Sequence, residues 1–183
     1  MPKNSIIVLI RHGEKPGRGT GLALAGQQRA QAYSVYLPNQ PFNGSLPNFS
    51  YLFAAKESPA SNRPVLTITP LSKALNLPIN SPYADKDFQP LAQELLNNAQ
   101  YNGKNILVCW HHGEILKLAK ALGAHDKVLP KTANWPKKWP GNVFGWCLQL
   151  VFDASGNLVT KSTKCFSQQL MYDDNGQLPP LGK

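Results

Sequence analysis

Two apolar runs constrain this chain more than anything else in it. Ile6-Ile7-Val8-Leu9-Ile10, rich in β-branched residues, and Ile106-Leu107-Val108-Cys109-Trp110 are unbroken apolar stretches, each closed by polar residues and a glycine. Runs of this length without alternation read as strands buried on both faces, which is the pattern of a central parallel sheet. Both runs also end in nearly the same way: Arg11-His12-Gly13-Glu14 follows the first and His111-His112-Gly113-Glu114 the second. Three of the chain's four histidines fall at these two points. In α/β sheets ligands sit beyond the carboxyl ends of the strands, where a histidine is held rigidly.

Helical patterns lie between and beside the strands. Leu22, Ala25, Ala32, Tyr33, Tyr36 and Leu37 recur at helical spacing up to Pro38, which is expected to stop the helix. Tyr51 to Ala55 reads as a short strand, Val65 to Leu75 as a helix despite Pro70, Phe88 to Ala99 as a helix, and Gly113 to Leu122 as a helix stopped by Gly123. Phe144, Trp146, Leu148, Leu150 and Phe152 alternate, predicting a strand with one buried face, and Leu158 to Thr163 is expected to pair back on it as a hairpin. The tail after Gln169 is polar and ends in Pro179-Pro180. Strands alternating with helices over 183 residues predict a single α/β domain across 1–183, a three-layer sandwich with a largely parallel central sheet.

Composition narrows the partners. Apolar residues make up 42% of the chain, too many for a disordered one, and nowhere do 18 apolar residues follow one another, so no membrane span is expected. Met1 to Ser5 leads into only five apolar residues before Arg11, short for a secretion signal, which makes the cytoplasm the expected location. Cys109, Cys147 and Cys165 fit neither a disulfide framework nor a zinc site, and the H-E-x-x-H pattern is absent, so neither metal nor cofactor is expected. The net charge of +9 favours anionic partners. The lysines and arginines are dispersed, with no nucleic-acid-binding signature beside them, so a small phosphorylated substrate is the expected partner rather than a specific nucleic acid. Trp135, Trp139 and Trp146 flank Lys137 and Lys138, either as packing or as a lid over a substrate. Nothing in the sequence fixes the oligomeric state.

The residues at the strand ends suit phosphoryl transfer. An imidazole nitrogen attacks phosphorus and splits one difficult step into two. The transition state spreads charge over three equatorial oxygens and needs cationic donors around them, a task that fits the arginine fork. Ile7 to Glu14 resembles the Arg-His-Gly signature of the histidine phosphatase superfamily, whose fold is phosphoglycerate mutase-like. The likeness continues through Gly26-Gln27-Gln28-Arg29-Ala30 in the first helix, Ser61-Asn62-Arg63 with Thr67 four residues on, Leu75-Asn76-Leu77-Pro78, and Ile106 to Glu114.

The resemblance implies roles. His12 would accept the phosphoryl group, with Arg11, Arg63 and a second-site histidine around its oxygens. Matching the common Ser-His-Gly form selects His111 as that histidine; matching the Trp-x-His form of small members, with Trp110 and Ile115 aligned, selects and favours His112. Gly13, Glu14, Arg18 and Glu114 would contribute to substrate binding. The acid that protonates the leaving oxygen is expected after Pro78, where the chain offers Asp85 and Asp87 but not the family's glutamate; Asp87 is the candidate carried forward, and Glu14 and Glu114 are others. Arg18 stands where mutase-type members have asparagine, and the short segment from Arg63 to Asp87 favours a phosphatase over a mutase. The expected activity is hydrolysis of phosphate monoesters through phospho-His12, as in histidine acid phosphatase-like enzymes. The alternatives are a noncatalytic phospho-ligand binder or scaffold of the same fold, or a phosphoglycerate-type mutase.

Overall fold

The computed structural model describes residues 2–174; the Pro179-Pro180 end of the polar tail lies outside them. The described residues form six strands and four α-helices: β1 (Ser5–Arg11), α1 (Leu24–Asn39), β2 (Phe49–Ala54), α2 (Arg63–Leu75), β3 (Ile79–Asn80), α3 (Phe88–Asn97), β4 (Asn105–Trp110), α4 (Ile115–Ala121), β5 (Trp146–Phe152) and β6 (Lys164–Ser167). The strands make one sheet in the order β3-β2-β4-β1-β5-β6. The β3–β2, β2–β4 and β4–β1 pairs are parallel, and the β1–β5 and β5–β6 pairs antiparallel. The sheet is therefore mostly parallel, and α/β as expected.

The two apolar runs lie side by side at its centre. Ile6 pairs with Asn105 and Arg11 with Trp110, so the strands run level and end together. Each faces a different core with alternate residues. Ile7, Leu9, Ile106, Val108 and Trp110 pack under α3, α4 and the irregular 130–145 segment. Val8, Ile10, Leu107 and Cys109 pack under α1 and α2. Burial on both faces is why neither run shows alternation.

Several boundaries differ from the sequence expectation. Pro38 lies inside the last turn of α1. A proline there forfeits only the bond to the carbonyl of Ser34, and the Asn39 side chain satisfies the next carbonyl by donating to Val35 O at 2.7 Å. Leu22, Ala25 and Ala32 are not the buried stripe of α1; Gly26, Arg29, Ala30, Tyr33 and Leu37 are. β5 is buried at every residue because both its faces are covered, Trp146, Leu148, Leu150 and Phe152 by one core and Cys147 by the other, with Gln149 held by donating to Ser162 O and accepting from Asn43 N. The returning strand starts at Lys164; residues 158–163 make only a bridge from Leu158 to Phe152 and turns. α3 is shorter than expected, and residues 99–101 are a separate 3₁₀ turn. No helix among the described residues is long and apolar enough to cross a membrane.

Candidate active site

The carboxyl ends of β1 and β4 meet at a cluster of basic groups. His12 N donates to Trp110 O at 3.1 Å, continuing the strand pairing past Arg11. In that register His12 lies beside His111, and their rings meet edge to face with centroids 4.9 Å apart. His112 makes no ring contact with His12. The parallel register, which the sequence does not display, thus brings in His111 where the Trp-x-His alignment favours His112.

His12 is fixed from both sides. Its Nδ1 donates to Gly13 O at 2.7 Å, which keeps a proton on Nδ1 and leaves Nε2 with its lone pair free. Gly13 N in turn donates to Thr67 Oγ1 at 2.8 Å, and Thr67 Oγ1 donates to Arg63 O at 2.7 Å. One buried hydroxyl therefore ties the His12 segment to the helix that carries Arg63. Gly26 lets α1 come close to this segment: a Cβ there would lie 2.5 Å from Glu14 O and 2.7 Å from Glu14 N.

The two arginines are used alike. Arg11 is 1% exposed; its Nη1 donates to Val143 O at 2.6 Å and Pro140 O at 3.3 Å. Arg63 Nη1 donates to Thr20 O at 3.1 Å and Gly19 O at 3.4 Å, and its Nη2 to Ala60 O at 3.5 Å. In both, Nε is buried and has no partner among the described residues. An orphaned guanidinium donor is costly unless an anion completes it.

The electrostatics agree. Burial, together with the positive charge of His111, Arg11 and Arg63, pushes His12 down to about 3, although its bond to Gly13 works the other way. Burial, Arg63, His112 and Arg11 push His111 down to about 4. Arg11 falls to about 10, chiefly through burial, and burial also lowers Arg63. At neutral pH the cluster therefore holds two neutral imidazoles and two guanidinium cations.

The carboxylates divide into two groups. Glu14 is bound by Arg29, whose Nε and Nη2 reach its carboxylate at 2.7 to 3.2 Å; Arg29 also grips Asp174 through Nη1 and Nη2 at 2.9 and 2.8 Å. Arg29 and Asp174 are each 1% exposed. Both Glu14 oxygens thus accept from a buried cation, a partner other than substrate. Asp85 and Glu114 lie on the other side. Burial and the nearby Glu114 raise Asp85 to about 6, against the opposing pull of Lys117 and Lys86, and Asp85 Oδ1 is buried without a partner. Trp110 Nε1 donates to Asp85 O at 3.0 Å, tying this segment to the end of β4.

Asp87, the carboxylate carried forward from the sequence, is exposed at the start of α3 and makes no capping bond. Glu114 pairs with Lys117 at 2.9 Å. Arg18 is exposed on the loop between β1 and α1. His112 is half-buried, its Nδ1 unpartnered, and burial with Arg11 and Lys15 lowers its pKa. Gly113 is part of a turn, since Glu114 N and Ile115 N both donate to His111 O and α4 starts only at Ile115. Trp139 and Trp146 are core residues whose rings pack 5.5 Å apart, and Lys137 and Lys138 are exposed. Phe144, taken from the sequence as one more alternating strand residue, instead sets its ring beneath the Arg11 guanidinium, with Cζ 3.7 Å from the ring centroid. No sequence signal marks that contact, nor the Arg29–Asp174 pair 145 residues apart.

Comparison with solved structures places this architecture. The protein histidine phosphatase SixA complexed with tungstate matches with a TM-score of 0.59 at 16% identity, covering 89% of this chain and 97% of that one. The chain has the fold of the histidine phosphatase superfamily. A phosphoglycerate mutase from Plasmodium falciparum matches with a TM-score of 0.55 at 17% identity over 86% of this chain and 88% of that one. Mycobacterial glucosyl-3-phosphoglycerate phosphatase matches with a TM-score of 0.52 at 17% identity over 85% and 97%. No protein-family model and no curated protein matches the sequence.

Proposed function

We propose that this protein is a phosphatase that hydrolyses phosphate monoesters through a phosphohistidine on His12. The observation that carries the reading is the set of unpartnered donors beside His12 at the carboxyl ends of β1 and β4. A neutral imidazole with its Nε2 free stands beside two arginines whose Nε donors lack partners, with a second neutral imidazole edge-on to it. A tetrahedral oxyanion supplies the missing acceptors, and its charge offsets an otherwise uncompensated positive site.

In the first step His12 Nε2 attacks phosphorus while the bond to the ester oxygen breaks. Arg11, Arg63 and His111 hold the equatorial oxygens. Asp85, raised to about 6 so that it carries a proton in mildly acidic solution, gives that proton to the departing oxygen. In the second step the Asp85 carboxylate takes a proton from water, water oxygen bonds to phosphorus, the P–N bond breaks, and inorganic phosphate leaves. The neighbours include the protein histidine phosphatase SixA and a glucosyl-3-phosphoglycerate phosphatase as well as a phosphoglycerate mutase; the short segment from Arg63 to Asp87 is what favours hydrolysis over a mutase reaction. Release of p-nitrophenol from p-nitrophenyl phosphate, together with an acid-labile phosphoprotein that is lost in His12→Ala, is the expected result. Equal, slow release by wild type and His12→Ala would leave a phospho-ligand binder in place of an enzyme.

A further inference from the structure

A guanidinium beside a phosphoryl group is useful only if the correct edge faces the anion. Arg11 is held on one edge and on one face. Its Nη1 protons go to the carbonyls of Val143 and Pro140, at 2.6 and 3.3 Å. Its plane is covered by the Phe144 ring at 3.7 Å. Among the described residues its Nε is buried without an acceptor, and the Nε–Nη2 edge is the one whose two parallel N–H bonds fit two oxygens of a phosphate.

The segment supplying these contacts is itself braced. Trp139 Nε1 donates to Val143 O at 2.8 Å, so one carbonyl receives both the indole and Arg11. Trp139 is 3% exposed and packs on Trp146 of β5. Phe144 also stands edge-on to His12, with centroids 6.3 Å apart. A single aromatic ring thus meets the nucleophile and covers the cation that would bind the transferred group.

We infer that Phe144 and Trp139 are positioning residues for Arg11, turning its Nε–Nη2 edge toward the bound oxyanion. The inference rests on the proposed phosphoryl-transfer site. Face and edge are anchored separately, so loss of one anchor leaves the other and weakens anion binding without abolishing it. A guanidinium–aromatic contact in a partly dry site contributes about tenfold to an equilibrium. The indole bond to Val143 O contributes on the order of threefold.

The test is calorimetric titration of wild type, Phe144→Leu, Phe144→Tyr and Trp139→Phe with tungstate and with inorganic phosphate. Phe166→Leu serves as a control, since Phe166 sits on the edge strand β6 against Lys164 and Phe42. The expected result is a loss of about tenfold for Phe144→Leu and about threefold for Trp139→Phe. Phe144→Tyr, which keeps the ring, and the control should stay near wild type. If wild type binds and both Phe144→Leu and Trp139→Phe remain within about twofold of it, the inference falls and the site reading stands. If Phe144→Tyr binds as weakly as Phe144→Leu, side-chain shape rather than stacking is responsible, and the inference also falls. If wild type itself binds neither oxyanion, the site reading falls and takes the inference with it.

Discussion

Replacing Thr67 with valine isolates the hydroxyl that links the nucleophile's segment to the arginine helix. Thr67 is fully buried, and the substitution keeps its shape while deleting Oγ1. The bond to Arg63 O is lost from the donor side, which a helix tolerates because that carbonyl retains its backbone partner. The loss at Gly13 is more serious: its N–H is left buried without an acceptor. An orphaned buried donor costs about 1–3 kcal/mol. For a chain of this length that corresponds to a fall in Tm on the order of 3–9 °C. Catalysis should suffer too, because the Gly13 carbonyl on the same residue fixes His12 Nδ1. A nucleophile displaced by a fraction of an ångström loses roughly tenfold in kcat. Urea denaturation gives the stability change, provided m is unchanged, and p-nitrophenyl phosphate turnover gives the rate. Thr67→Ser retains the hydroxyl and should lose little of either. If the valine variant matches the serine variant in both assays, the proposed link from Thr67 to His12 is wrong.

Arg29→Met leaves Asp174 and Glu14 without their shared cation, and should cost about 3–5 kcal/mol in urea denaturation because at least one carboxylate is then buried and unpaired. Folding stability should rise with pH between about 3 and 6.5. The folded-state values of His12 and His111 lie at about 3 and about 4, below the unfolded value, so their contribution is complete above about 6.5 and is lost as pH falls toward those values. Asp85 acts in the opposite sense, since its folded value of about 6 favours the folded state at low pH, but it is one group against two. Inorganic phosphate should flatten this acid dependence by raising both imidazoles, and a stability profile unchanged by phosphate would contradict the anion site. Asp85→Asn should slow poor leaving groups such as alkyl phosphates far more than p-nitrophenyl phosphate, and should remove the fall in wild-type rate as pH rises through about 6; an equal effect on both substrates would remove Asp85 as the acid.

The sequence made the centre of the sheet legible because β1 and β4 are buried on both faces and carry their functional groups at the strand ends. Arg11, His12 and His111 were all readable there. It did not reveal β3, a strand of two residues held by pairing alone. The choice between His111 and His112 depends on the register of two strands separated by most of the chain, which no local pattern encodes. Asp85 and Asp87 look equivalent in sequence, and only burial beside Glu114 separates them. Arg29 breaks the apolar pattern of α1 because its partner Asp174 arrives from the far end of the chain. Phe144 fits a strand pattern so well that its contact with Arg11 was hidden by it.

A crystal structure of the protein with orthovanadate is the most direct examination of the phosphoryl-transfer site. The account predicts vanadium bonded to His12 Nε2, with vanadate oxygens in hydrogen-bond reach of Arg11, Arg63 and His111. Vanadate seated against His112 or on the surface lysines, with His12 Nε2 left bare at saturating concentration, would contradict it.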